Sequence, residues 1–176
     1  TSSKDYFMKD ILKHNIIEIP LKIWEIALFA PIYFFLSLIN LHVKLRITPI
    51  WGDGSLLNYH DMFIQFIGTN NEQSRILQFM IPEVIHRIIG VSIENAYMIQ
   101  RLGFVFLTFC CLHAYLRTWF NLSGAFSGVV ILSSIMPLTY MNHLQESSPL
   151  LLLTFLLSLW AIRERNTVLL MMVFTI

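Results

Sequence analysis

Apolar residues along this chain fall into long runs that short polar connections separate. The first run covers residues 23–41 and reads IWEIALFAPIYFFLSLINL. Three complete runs and the start of another follow it, at residues 102–120, 124–142 and 149–162 and from 167 onward. A helix needs about 20 apolar residues to cross a bilayer of about 30 Å. The pattern therefore predicts an all-α protein, a polytopic bundle of transmembrane helices.

The connection between the first two runs is the longest, and it carries an amphipathic pattern of its own. From Ser74 onward, SRILQFMIPEVIHRIIG repeats its apolar residues with the period of a helix. The apolar face consists of Leu77, Met80, Ile81, Val84 and Ile88. Such a helix is expected to lie on the membrane surface, with Pro82 bending or breaking it and Gly90 ending it. A shorter amphipathic segment precedes it, so interfacial helices are predicted within residues 56–90.

The composition agrees with a membrane protein. Hydrophobic residues make up 56% of the chain and charged residues 13%, about half of the 25% or so that soluble domains carry. The mean hydropathy is +0.63. A net charge of +1 and the lack of any Lys/Arg run exclude a broad basic surface for nucleic acid. The expected partners are membrane lipids and, in one interpretation, the other subunits of a complex.

The distribution of Lys and Arg predicts the orientation. Four lysines precede the first run, whereas HLQESS, the connection after the third run, has no Lys or Arg. The positive-inside rule then predicts a cytoplasmic N-terminus, in a plasma or inner membrane. The long first loop argues against this orientation because it contains Lys44, Arg46, Arg75, Arg87 and Arg101. Long loops weigh less in the rule than short ones, so the prediction stands.

The two ends of the chain predict a fragment. The sequence starts at Thr1, and it stops at Ile176 within a new apolar run, TVLLMMVFTI, that is too short to cross a bilayer of about 30 Å. No internal repeat or linker divides the sequence. Residues 1–176 are therefore expected to form one transmembrane domain, the N-terminal part of a longer protein.

The densest polar cluster comes soon after the first run. It reads WGDGSLLNYHD and contains Asp53 and Asp61, and a second polar connection, after the third run, contains Glu146. With the predicted orientation, both clusters lie on the non-cytoplasmic side, where their acids can converge. Each acid also has a structural interpretation. Asp53 suits a tight turn, Asp61 a helix N-terminus, and Glu146 the first turn of the fourth span.

The order of these parts resembles the C-type (GT-C) polytopic glycosyltransferases. The matching text is GDGSLLNYHD, then SRILQFMIPEVIHRIIGVSIENAYMIQRLGF, then MPLTYMNHLQESSP. The resemblance implies a membrane enzyme that moves a sugar from a polyprenyl-phosphate donor to an acceptor on the non-cytoplasmic side. In that family the loop after the first span supplies an acid that serves as general base or binds the acceptor, and an acid of the third loop lies near the same cavity.

Carried over to this chain, the resemblance gives the first role to Asp53 or Asp61 and the second to Glu146. Transfer also needs cationic groups that stabilise the phosphate as it leaves. The candidates for the donor phosphate are Arg75, His86 and Arg87. Arg75 and Arg87 fit equally well as side chains that reach lipid headgroups. The family commonly shows an acidic pair where this chain has Glu146 alone, so no metal or other cofactor is indicated, although a divalent cation is compatible with the site.

Other classes of protein fit the same pattern. A non-catalytic scaffold subunit or part of a transporter explains the spans equally well, and Gly124 and Gly128 form a GxxxG motif that suits any close helix packing. A membrane acyltransferase needs a histidine base buried within the bundle. His113 is the candidate for that role, but it is expected near the cytoplasmic boundary. Whether the chain belongs to an enzyme or to a subunit of a complex is left open by the sequence.

Overall fold

The structure is a computed structural model that describes residues 3–47, 55–65, 67, 77–138 and 147–174. Over these residues the regular secondary structure is entirely helical, which confirms the predicted all-α class. The helices are α1 (Ser3–Ile47), α2 (Ser55–Ile64), α3 (Leu77–Ile89), α4 (Ile93–Leu116), α5 (Leu122–Ile135), α6 (Ser147–Arg163) and α7 (Thr167–Phe174).

Two of the described helices are long and apolar enough to cross a membrane. They are Trp24–Ile47, within α1, and Ile93–Leu116, which is α4. Only 17% of the most apolar window of the first is buried, so this helix exposes most of its apolar surface, as a lipid-facing helix does. At 14 and 17 residues, α5 and α6 are about 21 and 26 Å long, short of a bilayer of about 30 Å. The helices thus support the membrane class, whereas the polytopic bundle stays a prediction.

The start of α4 confirms the helix that the sequence predicts to begin near Ser92 or Asn95 and to run into the second span. α4 begins nine residues before the predicted second span, 102–120, and ends at Leu116. Ser92 caps this start because its backbone is extended and its Oγ accepts a hydrogen bond from the Asn95 N–H at 3.3 Å. Just before it, Gly90 ends α3 in the left-handed conformation, as predicted, with φ of 75°. The turn between the helices is therefore short, and α3 packs back on α4.

Pro82 lies within α3, where the sequence predicted a bend or a break. The helix is continuous from Leu77 to Ile89, which excludes a break, and the bend stays a prediction. The proline removes one intrahelical hydrogen bond, the one to the carbonyl of Gln78. Its ring is fully buried, and burial of apolar surface of this kind stabilises the helix in its place.

Two hydrophobic clusters hold the described helices together. The first, here called the loop-helix cluster, joins α2 and α3 to the first half of α4. It consists of Leu56, Phe63, Phe79, Ile93 and Tyr97. Within it the rings of Phe63 and Phe79 stack with centroids 4.2 Å apart. The second cluster joins α1, α4 and the α5 region through Tyr33, Val105, Phe109, Val129 and Met136.

α1 and α4 pack in antiparallel directions. Near one end of the pair, Glu25 forms an ion pair with Arg117. Further along, the ring of Phe34 lies 6.1 Å from that of Phe106, and beyond it Leu45 packs against the loop-helix cluster. The pair therefore has two distinct ends, a loop-helix end near Leu45 and an opposite end near Glu25.

Gly128 accounts for the close packing that the GxxxG motif predicts. A Cβ atom at this position would lie 2.4 Å from Cδ1 of Leu116 in α4. Around Gly124 the nearest atoms belong to Phe120 and Asn121, directly before α5 in the chain. Of the two glycines, Gly128 is therefore the one that lets α5 approach α4.

Candidate functional site

A chain of polar side chains, the loop-helix network, joins α2, α3 and α4. His60 is only 2% exposed, and its Nε2 atom lies 3.2 Å from Oε2 of Glu83. Its Nδ1 atom lies 2.9 Å from the hydroxyl of Tyr97, and Arg87 donates from Nε to Oε1 of Glu83 at 2.5 Å. With a proton on Nε2, the ring donates to Glu83 and accepts from Tyr97. The network thus fixes both loop helices on α4.

Glu83 is the anionic centre of this network. Burial raises its pKa, but hydrogen bonds from His60 and Arg87, together with their charges, lower it more. The pKa of the Glu83 carboxyl consequently lies below its ordinary value. Glu83 is therefore ionised at neutral pH and engages both partners as a carboxylate.

Glu83→Gln is expected to lower the melting temperature at neutral pH and to flatten its acid dependence. A carboxyl whose pKa is lowered by folding contributes stability above its unfolded pKa of about 4.3. That contribution is lost as the pH falls through the lower folded value. Because Glu83 is 19% exposed, the effect should be about 1 kcal/mol. Melting curves between about pH 6 and pH 3 measure it.

Asp61→Asn is the matched control for this experiment because Asp61 is an exposed carboxyl on the neighbouring helix. It should leave the acid dependence of the melting temperature close to that of the wild type. If Glu83→Gln also keeps the wild-type acid dependence, Glu83 does not stabilise the fold as a carboxylate.

A second polar group lies at the loop-helix end between the two long helices and is here called the buried polar layer. It consists of Asn40 and Lys44 of α1 with Gln100 and Arg101 of α4, which are 1%, 1%, 5% and 4% exposed. Asn40 is six residues beyond Phe34, and Gln100 is six residues before Phe106. Because α1 and α4 are antiparallel and these two rings are neighbours, Asn40 and Gln100 lie at about the same level of the helix pair. Arg101 directly follows Gln100, and Lys44 lies one helical turn beyond Asn40.

The carboxamides of this layer are not satisfied within the described residues. The nitrogen and the oxygen of both Asn40 and Gln100 lack a hydrogen-bond partner there. Lys44 and Arg101, in contrast, both take part in interactions. A buried polar group without a partner costs about 1 to 3 kcal/mol, so the layer is an expensive arrangement for a purely structural helix contact.

A third polar group, the opposite-end network, closes the other end of the α1–α4 pair. Arg117 donates from Nε and Nη2 to the two carboxylate oxygens of Glu25, at 2.6 and 2.9 Å, and from Nη1 to the Phe120 carbonyl at 2.9 Å. The Nδ1 atom of His113 lies 2.5 Å from the hydroxyl of Tyr33. Its Nε2 atom is 4.0 Å from Glu25, too far for a hydrogen bond. His113 is fully buried among these helices, and its expected place near a membrane boundary stays a prediction.

The predicted catalytic residues are only partly covered by the structure. Asp53 and Glu146 lie outside the described residues. Asp61 is on α2, where it is exposed and follows the buried His60. It is the seventh residue of the helix, so the alternative interpretation of Asp61 as a residue of the helix N-terminus is wrong. Its role as a base stays a prediction.

The predicted ligands of the donor phosphate lie on or near α3. Arg75 lies outside the described residues, and the guanidinium of Arg87 is held by Glu83 while its side chain is 71% exposed. His86 donates from Nδ1 to the carbonyl of Val91 at 2.5 Å and so ties the end of α3 to the next turn. Their contact with a phosphate stays a prediction. Within the part of the chain that the structure describes, no group of His, Cys, Asp and Glu could hold a metal ion.

No protein-family model, curated protein or solved structure matches this chain. The function of this chain is therefore inferred from its own residues. The loop-helix end of the bundle contains two buried cations and two carboxamides without hydrogen-bond partners. The loop-helix network around the Glu83 carboxylate lies at the same end. From the sequence, Lys44 and Arg101 were expected to be loop charges, and nothing marked Asn40 or Gln100 as candidates.

Proposed function

We propose that this chain belongs to a GT-C type membrane glycosyltransferase that takes its sugar from a polyprenyl phosphate. The observation that carries the proposal is the position of the buried polar layer. Two buried cations lie at the end of the α1–α4 pair against which both loop helices pack. A lipid-linked phosphate needs cationic groups at this kind of place, between apolar helices and a membrane surface.

The exposed face of α3 suits contact with a lipid chain. Four apolar residues on its outer side, Met80, Val84, Ile88 and Ile89, are 47% to 78% exposed. Arg87 lies on the same side, with its guanidinium anchored to Glu83. A helix of this kind binds at the membrane interface, because its apolar residues contact acyl chains and its cation contacts headgroups. The loop helices would thus hold the donor's chain beside the site.

The proposed reaction needs one base and one leaving-group site. The bond between the anomeric carbon of the sugar and the phosphate oxygen breaks, and polyprenyl phosphate leaves with the electron pair. A bond forms from that carbon to an acceptor hydroxyl or amine, whose proton passes to a carboxylate. Asp61 is the described candidate for this base, and Asp53 and Glu146 are the other candidates. The cations of the layer stabilise the charge on the leaving phosphate.

Asp61→Asn is expected to reduce sugar transfer at least about 100-fold, because an amide cannot accept the acceptor's proton. The assay uses membranes that contain the full-length protein and a panel of radiolabelled polyprenyl-phosphate sugars. The KM for the donor should stay close to the wild-type value, since Asp61 is not a phosphate ligand in this scheme. Asn58→Ala, an exposed change on the same helix, is the matched control.

A folded Asp61→Asn protein with normal transfer would remove Asp61 from the mechanism. A wild-type protein that transfers no sugar from any donor of the panel would contradict the enzyme assignment. The non-catalytic scaffold subunit or the transporter would then be the better interpretation.

One observation favours a second class, a membrane acyltransferase with a histidine base. His113 is fully buried within the bundle, and its Nε2 atom has no hydrogen-bond partner among the described residues. This is the placement that such an enzyme requires, although the neighbouring Glu25–Arg117 pair also explains a structural role. The same membranes incubated with a radiolabelled acyl thioester distinguish the two classes, because only an acyltransferase consumes that donor.

A further inference from the structure

We propose that the turn between α6 and α7 binds the phosphate of an anionic phospholipid at the opposite end of the bundle, with Arg163 and Arg165 supplying positive charge. These two arginines, together with Trp119 and Phe120 of the turn between α4 and α5, are here called the headgroup patch. The ligand belongs to the surrounding bilayer, so the inference goes beyond the proposed reaction and does not depend on it. It requires only a membrane around the helices, which the two long apolar helices support.

The first support is the place where the two turns meet. The ion pair of Glu25 and Arg117 marks the opposite end of the α1–α4 pair, and Trp119 follows Arg117 by two residues. The guanidinium carbon of Arg163, the last residue of α6, lies 5.0 Å from the centroid of the Trp119 ring. The end of α6 therefore lies beside the α4–α5 turn, and both turns are at the end of the bundle where a headgroup layer would lie.

The second support is the exposed apolar surface around the arginines. Trp119 and Phe120 are 66% and 56% exposed, and Ile162 and Val168, on either side of the α6–α7 turn, are 59% and 62% exposed. Trp side chains concentrate at the level of lipid headgroups, because the ring is apolar and its N–H is polar. A guanidinium that stacks on such a ring keeps N–H donors for phosphate oxygens. This surface offers contacts to acyl chains, which free phosphate does not have.

The third support is the backbone of Arg165, which is left-handed with φ of 51°. Its N–H donates to the Ile162 carbonyl at 3.2 Å, and the Asn166 N–H donates to the Ala161 carbonyl at 2.9 Å. These are the two hydrogen bonds of a Schellman motif, in which glycine is the usual left-handed residue. An arginine in this conformation costs stability relative to glycine. Because its side chain is exposed, we expect the arginine to act on something outside the fold.

The charge of the α6–α7 turn favours an anion, although one acid weakens it. Arg163 and Arg165 flank Glu164, and all three residues are exposed. Within the described part of the chain, none of the three forms an ion pair. Cations at the membrane surface attract anionic lipids, and a carboxylate beside them opposes that attraction. Removal of Glu164 should therefore strengthen the binding that removal of either arginine weakens.

Arg165→Gly separates lipid binding from folding. Glycine relieves the left-handed backbone, so the protein should melt at the same temperature as the wild type or at a higher one. The change also removes one of the two cations, so the affinity for phosphatidylglycerol should fall about fivefold. Arg163→Gln should weaken the binding by a similar factor, and Glu164→Gln should strengthen it.

The measurement is native mass spectrometry of the detergent-solubilised full-length protein, titrated with phosphatidylglycerol or with phosphatidylcholine of the same acyl chains. The wild type should retain phosphatidylglycerol in preference to phosphatidylcholine, and an excess of inorganic phosphate should not displace it. Arg46→Gln is the matched control, since it removes an exposed arginine at the loop-helix end. This variant should keep the wild-type affinity.

Several results would overturn the inference. The first is equal retention of the two lipids by the wild type, and the second is wild-type affinity for phosphatidylglycerol in both Arg163→Gln and Arg165→Gly. An equal loss in Arg46→Gln would show that the lipid responds to net charge rather than to the headgroup patch. Displacement by inorganic phosphate would assign the arginines to a free anion. Opposite effects of Glu164→Gln and the two arginine variants, with no loss of melting temperature in Arg165→Gly, would support it.

Discussion

Arg117→Met is expected to lower the free energy of unfolding by about 1 to 2 kcal/mol, because it leaves the partly buried carboxylate of Glu25 without its bidentate partner. The side chain of Glu25 is 19% exposed, and in the wild type Arg117 donates a hydrogen bond to each of its two carboxylate oxygens. Thermal or denaturant unfolding in a mild detergent measures the change.

A double variant separates the ion pair from the rest of the packing. Glu25→Leu combined with Arg117→Met removes both charges, so it should recover much of the stability that the single change loses. Stability losses that simply add in the double variant would show that Glu25 and Arg117 do not stabilise each other.

Phe63→Ala is the other change with a large expected effect. The ring of Phe63 is 5% exposed and stacks on that of Phe79, so its removal should cost about 3 to 4 kcal/mol of local stability. The loss should fall on the contact of α2 and α3 with α4, since Phe63 belongs to the loop-helix cluster. Hydrogen exchange measured by mass spectrometry should show faster exchange in α2 and α3 and unchanged protection across α5.

Leu57→Ala is the matched control because Leu57 lies on the same helix but is 44% exposed. It should leave the exchange of α3 unchanged. If Phe63→Ala also leaves that exchange unchanged, the stacked aromatic pair does not hold the loop helices on α4.

The class of fold and several helix ends were predictable because they depend on local sequence. Long apolar runs specify helices, and the apolar periodicity between Leu77 and Ile88 gave α3 its approximate position. Gly90 could be placed as the end of α3 because a left-handed residue after a helix is usually a glycine. Pro82 does not break α3, and its ring is fully buried, which local preference alone could not predict.

The buried polar layer was missed because the apolar runs are shorter than the helices that contain them. The first run ends at residue 41, but α1 continues to Ile47, and α4 starts at Ile93, before the second run. Lys44 and Arg101 were therefore assigned to the loop. One signal was available, since Tyr33, Ser37, Asn40 and Lys44 repeat with the spacing of one helical face.

The loop-helix network was beyond sequence reasoning for a different reason. His60 and Glu83 are separated by 23 positions, and their contact depends on how α2 and α3 pack. The contact between Tyr33 and His113 joins residues 80 positions apart and is of the same kind. Local patterns predict helices, whereas pairs of this kind follow from the packing of whole elements.

Photo-crosslinking with a polyprenyl phosphate that carries a diazirine in its chain near the phosphate tests whether the loop-helix end of the bundle binds such a lipid. We expect crosslinks on α1 around Ile39 and on the outer face of α3 at Met80, Val84 or Ile88. Unlabelled polyprenyl phosphate should compete with these crosslinks, and polyprenol should not. Crosslinks spread over α6 and α7, or equal competition by polyprenol, would contradict the claim that this end of the bundle binds a lipid-linked phosphate.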